Sequence, residues 1–251
     1  MSYEPKSYWE ERLRQSFSLK HTGHIGFSLV YNKWSYKAKA RVLENALSGL
    51  NINCKGKAVL DVGCGTGFWV EFYKSNGAAS IVGVDITSIS IEKSKEKYPQ
   101  FEFYELDIGD TEINIDRRFD IVNVFDVLYH IKDKLKFRKA MSNIAHLSKK
   151  GSYIFITDSL IDRSEAEYVT FRSLSTYEEE FKRNSFRLIG VTPLYYLLNR
   201  PYPFLLEGMK FALLITKINI DDIMAPILYY LDKVLLSLER SHFKLIICVK
   251  E

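Results

Sequence analysis

Residues 60–69 read LDVGCGTGFW, so Asp61 is followed at steps of two by Gly63, Gly65 and Gly67. Glycines this close together, between a strand and a helix, let a ligand approach the backbone. The details argue against two common ligands. A nucleoside triphosphate is held by G-x-x-x-x-G-K-[ST], and no Lys-Ser or Lys-Thr follows this loop. A dinucleotide is held by G-x-G-x-x-G, and Phe68 stands where the third glycine belongs. Asp61 points the same way. A carboxylate beside the loop repels a pyrophosphate but can hold an ammonium group directly or through a water.

Other groups able to do chemistry fall at the ends of apolar runs. Asp85, Asp107, Asp126 and Asp158 each close or directly follow one, although Asp126 and Asp158 are equally well explained as helix caps. Tyr129 and His130 come just after Asp126. An imidazole with a pKa of about 6.5 suits proton transfer at neutral pH; capping the next helix or pairing with a carboxylate is the plainer role. His21 and His24 sit in a glycine-marked loop, where exposure or capping is usual. Tyr31, Trp34 and Tyr36 in YNKWSYK suit either a ligand cover or a core. No H-E-x-x-H, paired-cysteine or D-x-D spacing occurs, so no metal is expected.

These positions need a scaffold. Trp9, Leu13 and Phe17 are spaced as one stripe of a short amphipathic helix, and KWSYKAKARVLENALSGL repeats the pattern with Leu43, Ala46, Leu47 and Leu50. From residue 57 the rhythm changes. KAVLDVG, SIVGVD, FEFYELD, FDIVNVFD and SYIFITD read as strands. FWVEFYKSNG, SISIEKSKEKY and LKFRKAMSNIAHLSKKG read as the helices between them, the last running to Gly151. STYEEEFKRNSF is a further helix, and FRLIGVTP and FKLIICVK are two more strands. The alternation predicts an α/β chain with a doubly wound, seven-stranded Rossmann-like sheet. An N-terminal helical cap spans 1–56, the core 57–193, a helical insertion 194–241 and the last core strand 242–251. Ile223, Ile227, Leu231, Leu235 and Leu238 mark a helical stripe in the insertion. That helix either packs on the core as half a pocket, lies on a membrane, or is buried in a homodimer.

Composition narrows the classes. With 35 basic and 31 acidic residues the net charge of +4 is too mild to argue for nucleic acid. The clusters at Lys93–Lys97 and Lys132–Lys139 read as solvated helix faces. Three distant cysteines, Cys54, Cys64 and Cys248, suggest no disulfide framework and favour a reducing, cytoplasmic setting. The polar N-terminus does not read as a signal peptide, and no apolar run reaches the roughly 20 residues of a membrane span.

In this order, the motifs resemble those of the class I S-adenosylmethionine-dependent methyltransferases, over roughly residues 57–160. The resemblance implies that S-adenosylmethionine is the cofactor and S-adenosylhomocysteine the product. It places the methionyl part against Asp61, Gly63, Cys64, Gly65 and Gly67. Asp85, with Ile86 beside it, takes the ribose hydroxyls, as a carboxylate can accept two hydrogen bonds from a diol. Asp107 reads the adenine amino group, Ile108 offers a backbone amide to the ring, and Phe125 lines the cofactor. An aromatic of the cap, Tyr31 among the candidates, closes over the methionyl group.

Methyl transfer needs a nucleophile aligned behind the methyl carbon, and a base only where that nucleophile must lose a proton. His130 is the first candidate base and Tyr129 the second. The Asn-Pro-Pro-Tyr signature of many amine-methylating nucleic-acid enzymes is replaced by FDVLYH. The insertion's PLYYLLNRPYPFLL resembles the wall of a concave site. The expectation is O-methylation of a small or lipophilic acceptor: a sugar or glycan intermediate, a polyketide-like metabolite or a quinone. Peripheral membrane contact through 194–241 and a homodimer stay open as partners, with nucleic acid disfavoured. An RNA methyltransferase and a non-catalytic S-adenosylmethionine-binding subunit are the alternatives.

Overall fold

The computed structural model describes residues 3–110, 113–161, 167–198, 219–235 and 241–251. Three helices come first: α1 (Pro5–Gln15), α2 (Leu19–Thr22) and α3 (Leu29–Gly49). Then β1 (Ala58–Val62), α4 (Phe68–Ser75), β2 (Ser80–Asp85), α5 (Ser88–Lys97), β3 (Glu102–Glu105) and β4 (Phe119–Phe125) alternate. The chain continues through α6 (Lys134–Leu147), β5 (Ser148–Ser159), α7 (Leu174–Arg183), β6 (Phe186–Pro193), α8 (Ile220–Leu235) and β7 (Phe243–Lys250).

The strands form one sheet in the order β3-β2-β1-β4-β5-β7-β6. Strands β1 to β5 pair in parallel, and β7 runs antiparallel between β5 and β6. The seven-stranded α/β expectation holds, with one antiparallel strand making the sheet mixed. Because side chains alternate across a strand, β1 sends Val59 to one face and Leu60 and Val62 to the other. Leu43, Trp69 and Tyr73 cover the first face, while Phe137, Met141, Tyr177 and Phe181 cover the second. Burying one such side chain stabilises the fold by about 1.5–3 kcal/mol. The sheet order reverses between β1 and β4, and the crevice at their carboxyl ends is where open α/β sheets hold ligands.

Two boundaries differ from the sequence reading. Helix α3 starts at Leu29 rather than Lys33 because Ser28 caps it, its Oγ accepting from Tyr31 N at 3.0 Å. Helix α6 stops at Leu147, not Gly151, because Ser148 already pairs with Phe119. Gly151 then turns the chain at φ +81°, and the Ser152 hydroxyl donates to the Phe119 carbonyl at 2.6 Å.

The facing of the insertion helix, left open by the sequence, is seen in α8, which packs on α3 through Ala225, Leu228 and Tyr229. The stripe at Ile223, Ile227 and Leu231 faces outward, with exposures of 43%, 46% and 47%; Leu238 lies outside the described residues. No described helix is long and apolar enough to cross a membrane.

Candidate active site

The glycine loop turns sharply off β1. Gly63 and Cys64 donate their amides to the Val84 carbonyl at 2.7 and 3.0 Å, tying the loop to the end of β2. Gly63 has φ +72°, and a Cβ there would lie 2.3 Å from Val127 Cγ2. Gly67 caps α4 at φ +77°, where a Cβ would meet the Tyr98 ring at 2.8 Å. Both positions therefore need glycine for space as well as for conformation.

Asp61 lies behind the loop, fully buried, with Oδ1 accepting from Asn123 Nδ2 at 2.7 Å. Its Oδ2 has no hydrogen-bond partner among the described residues. Burial raises its carboxyl to about 7, with the Asn123 bond pulling the other way. A buried carboxylate oxygen left open in this way suits a cation. Cys64 is buried, and desolvation pushes its thiol well up, which disfavours the thiolate.

The loop opens onto a cavity of about 430 Å³ that runs along the carboxyl ends of β2, β1 and β4. At Asp85, Oδ2 accepts from Gly65 N at 2.9 Å, and Oδ1 accepts from Thr87 N and Oγ1 at 2.9 and 2.7 Å. Of the roughly four acceptor positions of a carboxylate, three are taken by protein and one remains. Further along, Asp107 accepts from Gly109 N and from Lys136 Nζ, both at 2.8 Å, beside Leu106 and Ile108. Helix α1 contributes Trp9 and Leu13 to the wall, and Glu10 on the same helix accepts from Ser88 N and Oγ at 3.0 and 2.9 Å.

The other end of the cavity is formed by Phe125, Asp126, Tyr36, Phe68, Trp69 and His130. Asp126 follows β4 with φ +60°, a conformation disfavoured for a residue with a side chain. Two contacts hold it there. Thr157 Oγ1 accepts from its amide at 2.9 Å and donates to Oδ1 at 3.0 Å, while Oδ2 is ion-paired with Lys39 of α3. His130 Nδ1 is 2.9 Å from the Tyr168 carbonyl, so Nδ1 carries the proton and Nε2 is the acceptor. Desolvation lowers His130 to about 4, and it is neutral throughout the physiological range. Trp9 stands edge-on to its ring at 4.8 Å. Buried Arg172 secures the turn that carries it by donating to the carbonyls of Leu128 and Ile131.

Of the residues expected from sequence, the cavity is lined by Gly63, Cys64, Gly65, Asp85, Ile86, Asp107, Ile108, Phe125 and His130. Asp61 and Gly67 support the loop from behind. Tyr31 is not at the wall; it is buried and stacked on Phe27 at 4.0 Å, and Tyr36 takes the wall position. Tyr129 is also absent from the lining and packs on Phe171 at 5.5 Å, with desolvation keeping its phenol protonated. None of the described residues in 194–235 lines the cavity, so half a pocket from that segment is not seen there. Sequence reasoning missed Lys39, and it read Lys136 only as part of a solvated basic face. Trp9 carried a signal, the stripe of α1, that was legible only as packing.

A sequence model of the methyltransferase domain matches residues 31–189, and the chain belongs to that family. The 235L protein of Invertebrate iridescent virus 6 is 31% identical over 127 residues, 50% of this chain and 46% of the relative. The ubiquinone biosynthesis O-methyltransferase of Coxiella burnetii is 27% identical over 167 residues, 58% of this chain and 70% of the relative. The chain spans about half the length of the first curated relatives it matches, 46% and 58%. Among solved structures, the magnesium protoporphyrin IX methyltransferase of Synechocystis PCC 6803 with bound S-adenosylmethionine has the same fold. Its TM-score is 0.60 at 14% identity, over 98% of this chain and 95% of that one.

Proposed function

We propose that the protein transfers a methyl group from S-adenosylmethionine to a small or lipophilic acceptor, most simply to an oxygen. The observation that carries this reading is the cavity that the left-handed glycine loop lines together with Asp85 and Asp107. With the Asp61 carboxyl behind it, that loop suits a cationic amino acid end and not a phosphate. Asp85 has one acceptor position left for a ribose hydroxyl, and a second hydroxyl would share with Gly65 or Thr87. Asp107 would take an adenine amino group in competition with Lys136.

S-adenosylmethionine supplies a methyl group already activated on a sulfonium. What remains for the chain is to orient the partners and exclude water, and orientation supplies up to about 7–11 kcal/mol. Trp9, Tyr36, Phe68, Trp69 and Phe125 form the apolar wall that does so. His130 Nε2 is the group in the wall free to take a proton from an acceptor hydroxyl. A base this weak accepts the proton only as the oxygen gains its methyl group and becomes acidic. Tyr129 belongs to the packing behind it. The name of the ubiquinone-pathway relative and the aromatic wall both support a lipophilic acceptor.

Calorimetric titration with S-adenosylhomocysteine tests the reading, using the wild type and Asp85→Ala. Micromolar binding that the variant loses is the expected result, and a folded wild type that binds nothing would overturn it. Incubation with methyl-labelled cofactor and fractionated extract then separates the alternatives. Label in the organic-soluble fraction is expected, label in RNA would transfer the reading to RNA methylation, and no label anywhere would favour a non-catalytic subunit.

A further inference from the structure

We propose that the outer face of α8, with the basic ridge of α3 beside it, is a docking surface for an anionic lipid bilayer. The two faces of α8 are both apolar, which packing on the core alone does not require. Ala225, Leu228 and Tyr229 satisfy the contact with α3. The opposite side presents Ile223, Ile227, Tyr230 and Leu231 at 43%, 46%, 56% and 47% exposure. Steps of four, three and one residues place these four on a single strip. Isolated exposed leucines are ordinary on protein surfaces, but a strip of four large apolar side chains on one helix is not.

Charge selects the partner. The acidic residues of α8 are turned away from the strip. Asp221 and Asp222 accept from Ser28 N and Oγ at 3.0 and 2.5 Å. Asp232 is fully buried and accepts from the amides of Tyr196, Leu197 and Leu198 at 3.0, 2.6 and 3.1 Å. The neighbouring ridge of α3 carries Lys33, Lys37 and Arg41 at steps of four, the two lysines exposed. Lys37 Nζ lies 4.5 Å over the Trp34 ring, and Lys233 Nζ lies 5.1 Å over Tyr230. Glu44 is the single acid in α3, against Lys33, Lys37 and Arg41 on this ridge, while Lys39 is turned inward to Asp126. An apolar strip edged by aromatic rings and lysines matches the boundary between acyl chains and anionic headgroups. The strip sits on a convex helix, so it meets a plane better than it accepts a knob. The inference stands on α3 and α8 and does not depend on which ligand the cavity holds.

Co-sedimentation of the full chain with phosphatidylcholine vesicles, with and without phosphatidylglycerol, tests it. The wild type is expected to partition onto the phosphatidylglycerol vesicles and to be released as salt rises. Basic residues near a membrane contribute roughly fivefold each to partitioning, so Lys33→Glu with Lys37→Glu should lower it at least tenfold. Ile227→Asp with Leu231→Asp should do the same. All four side chains are surface-exposed, and circular dichroism checks that both variants are folded. If one does not fold, the salt dependence of the wild type and the other variant decide. No sedimentation of the wild type, equal sedimentation with both vesicle types, or binding unchanged in the variants would overturn the proposal. So would a dimer, found without lipid, that the Ile227 and Leu231 substitutions convert to monomer, since that would give the strip to a second copy.

Discussion

Asp61 shows how one buried atom sets a pH dependence. Its carboxyl is raised by desolvation to about 7 from an ordinary 3.8. Between those values the folded chain holds a proton that the unfolded chain has lost, so this group makes the ligand-free protein less stable as pH rises through that window. A cation bound on the cavity side of the loop, in front of Asp61, reverses the preference and favours the ionised form. Binding of S-adenosylmethionine below pH 7 is therefore expected to release a proton, with affinity rising with pH up to about 7. Calorimetry in buffers of different ionisation enthalpy reads that proton, and Asp61→Asn should abolish its release. A binding enthalpy independent of buffer at pH 6 would show that the cofactor's charge does not reach Asp61. The loop and the strand-end acids were legible because each is a local pattern. Tyr31 was expected at the cofactor and Tyr36 stands at the cavity instead, since only the packing of α3 on the rest of the fold decides which face it turns inward.

Among the elements, α1 is a cover pinned at several points: Lys6 pairs with Glu105, Arg12 donates to the Gly23 carbonyl, and Glu10 ties it to α5. Helix α5 begins at Ser88 and receives no side-chain bond from its own cap residue, Thr87. Glu10 supplies that cap from another helix and in doing so fixes α1 over the cavity. Losing such a cap costs about 0.5–2 kcal/mol, roughly two- to thirtyfold if it is expressed in a rate. Glu10→Ala should speed dissociation of S-adenosylhomocysteine by that factor, read by stopped-flow tryptophan fluorescence with Trp9 on the same helix. Glu10→Gln, which keeps an acceptor oxygen, should restore most of the loss, and an unchanged rate in both variants would show that α1 does not gate the site. Strand positions were legible because alternation and apolar runs are local; β6 and β7 fall where FRLIGVTP and FKLIICVK predict. The facing of α8 was not, because an apolar stripe marks a surface to be covered without saying by what.

At the scale of the molecule, the cap and the sheet meet through Lys39 and Asp126, 87 residues apart in the chain. Both are nearly buried, with side-chain exposures of 8% and 13%. No spacing rule makes such a pair visible in sequence, since it exists only once α3 lies across the end of β4. Asp126 is also the residue held at φ +60°, so the pair and Thr157 stabilise a strained turn that leads directly to His130. Removing one charge leaves the other buried and unpaired, which costs about 3–5 kcal/mol, whereas removing both is far milder. Lys39→Met should therefore lower the unfolding free energy by about that amount, and adding Asp126→Asn should return much of it. Urea unfolding of the two single variants and the double gives the coupling directly. Strict additivity would mean that cap and sheet are joined by general packing, and that Asp126 is held in its turn by Thr157 alone. A large coupling would make this pair the joint through which any movement of the cap reaches the His130 end of the cavity.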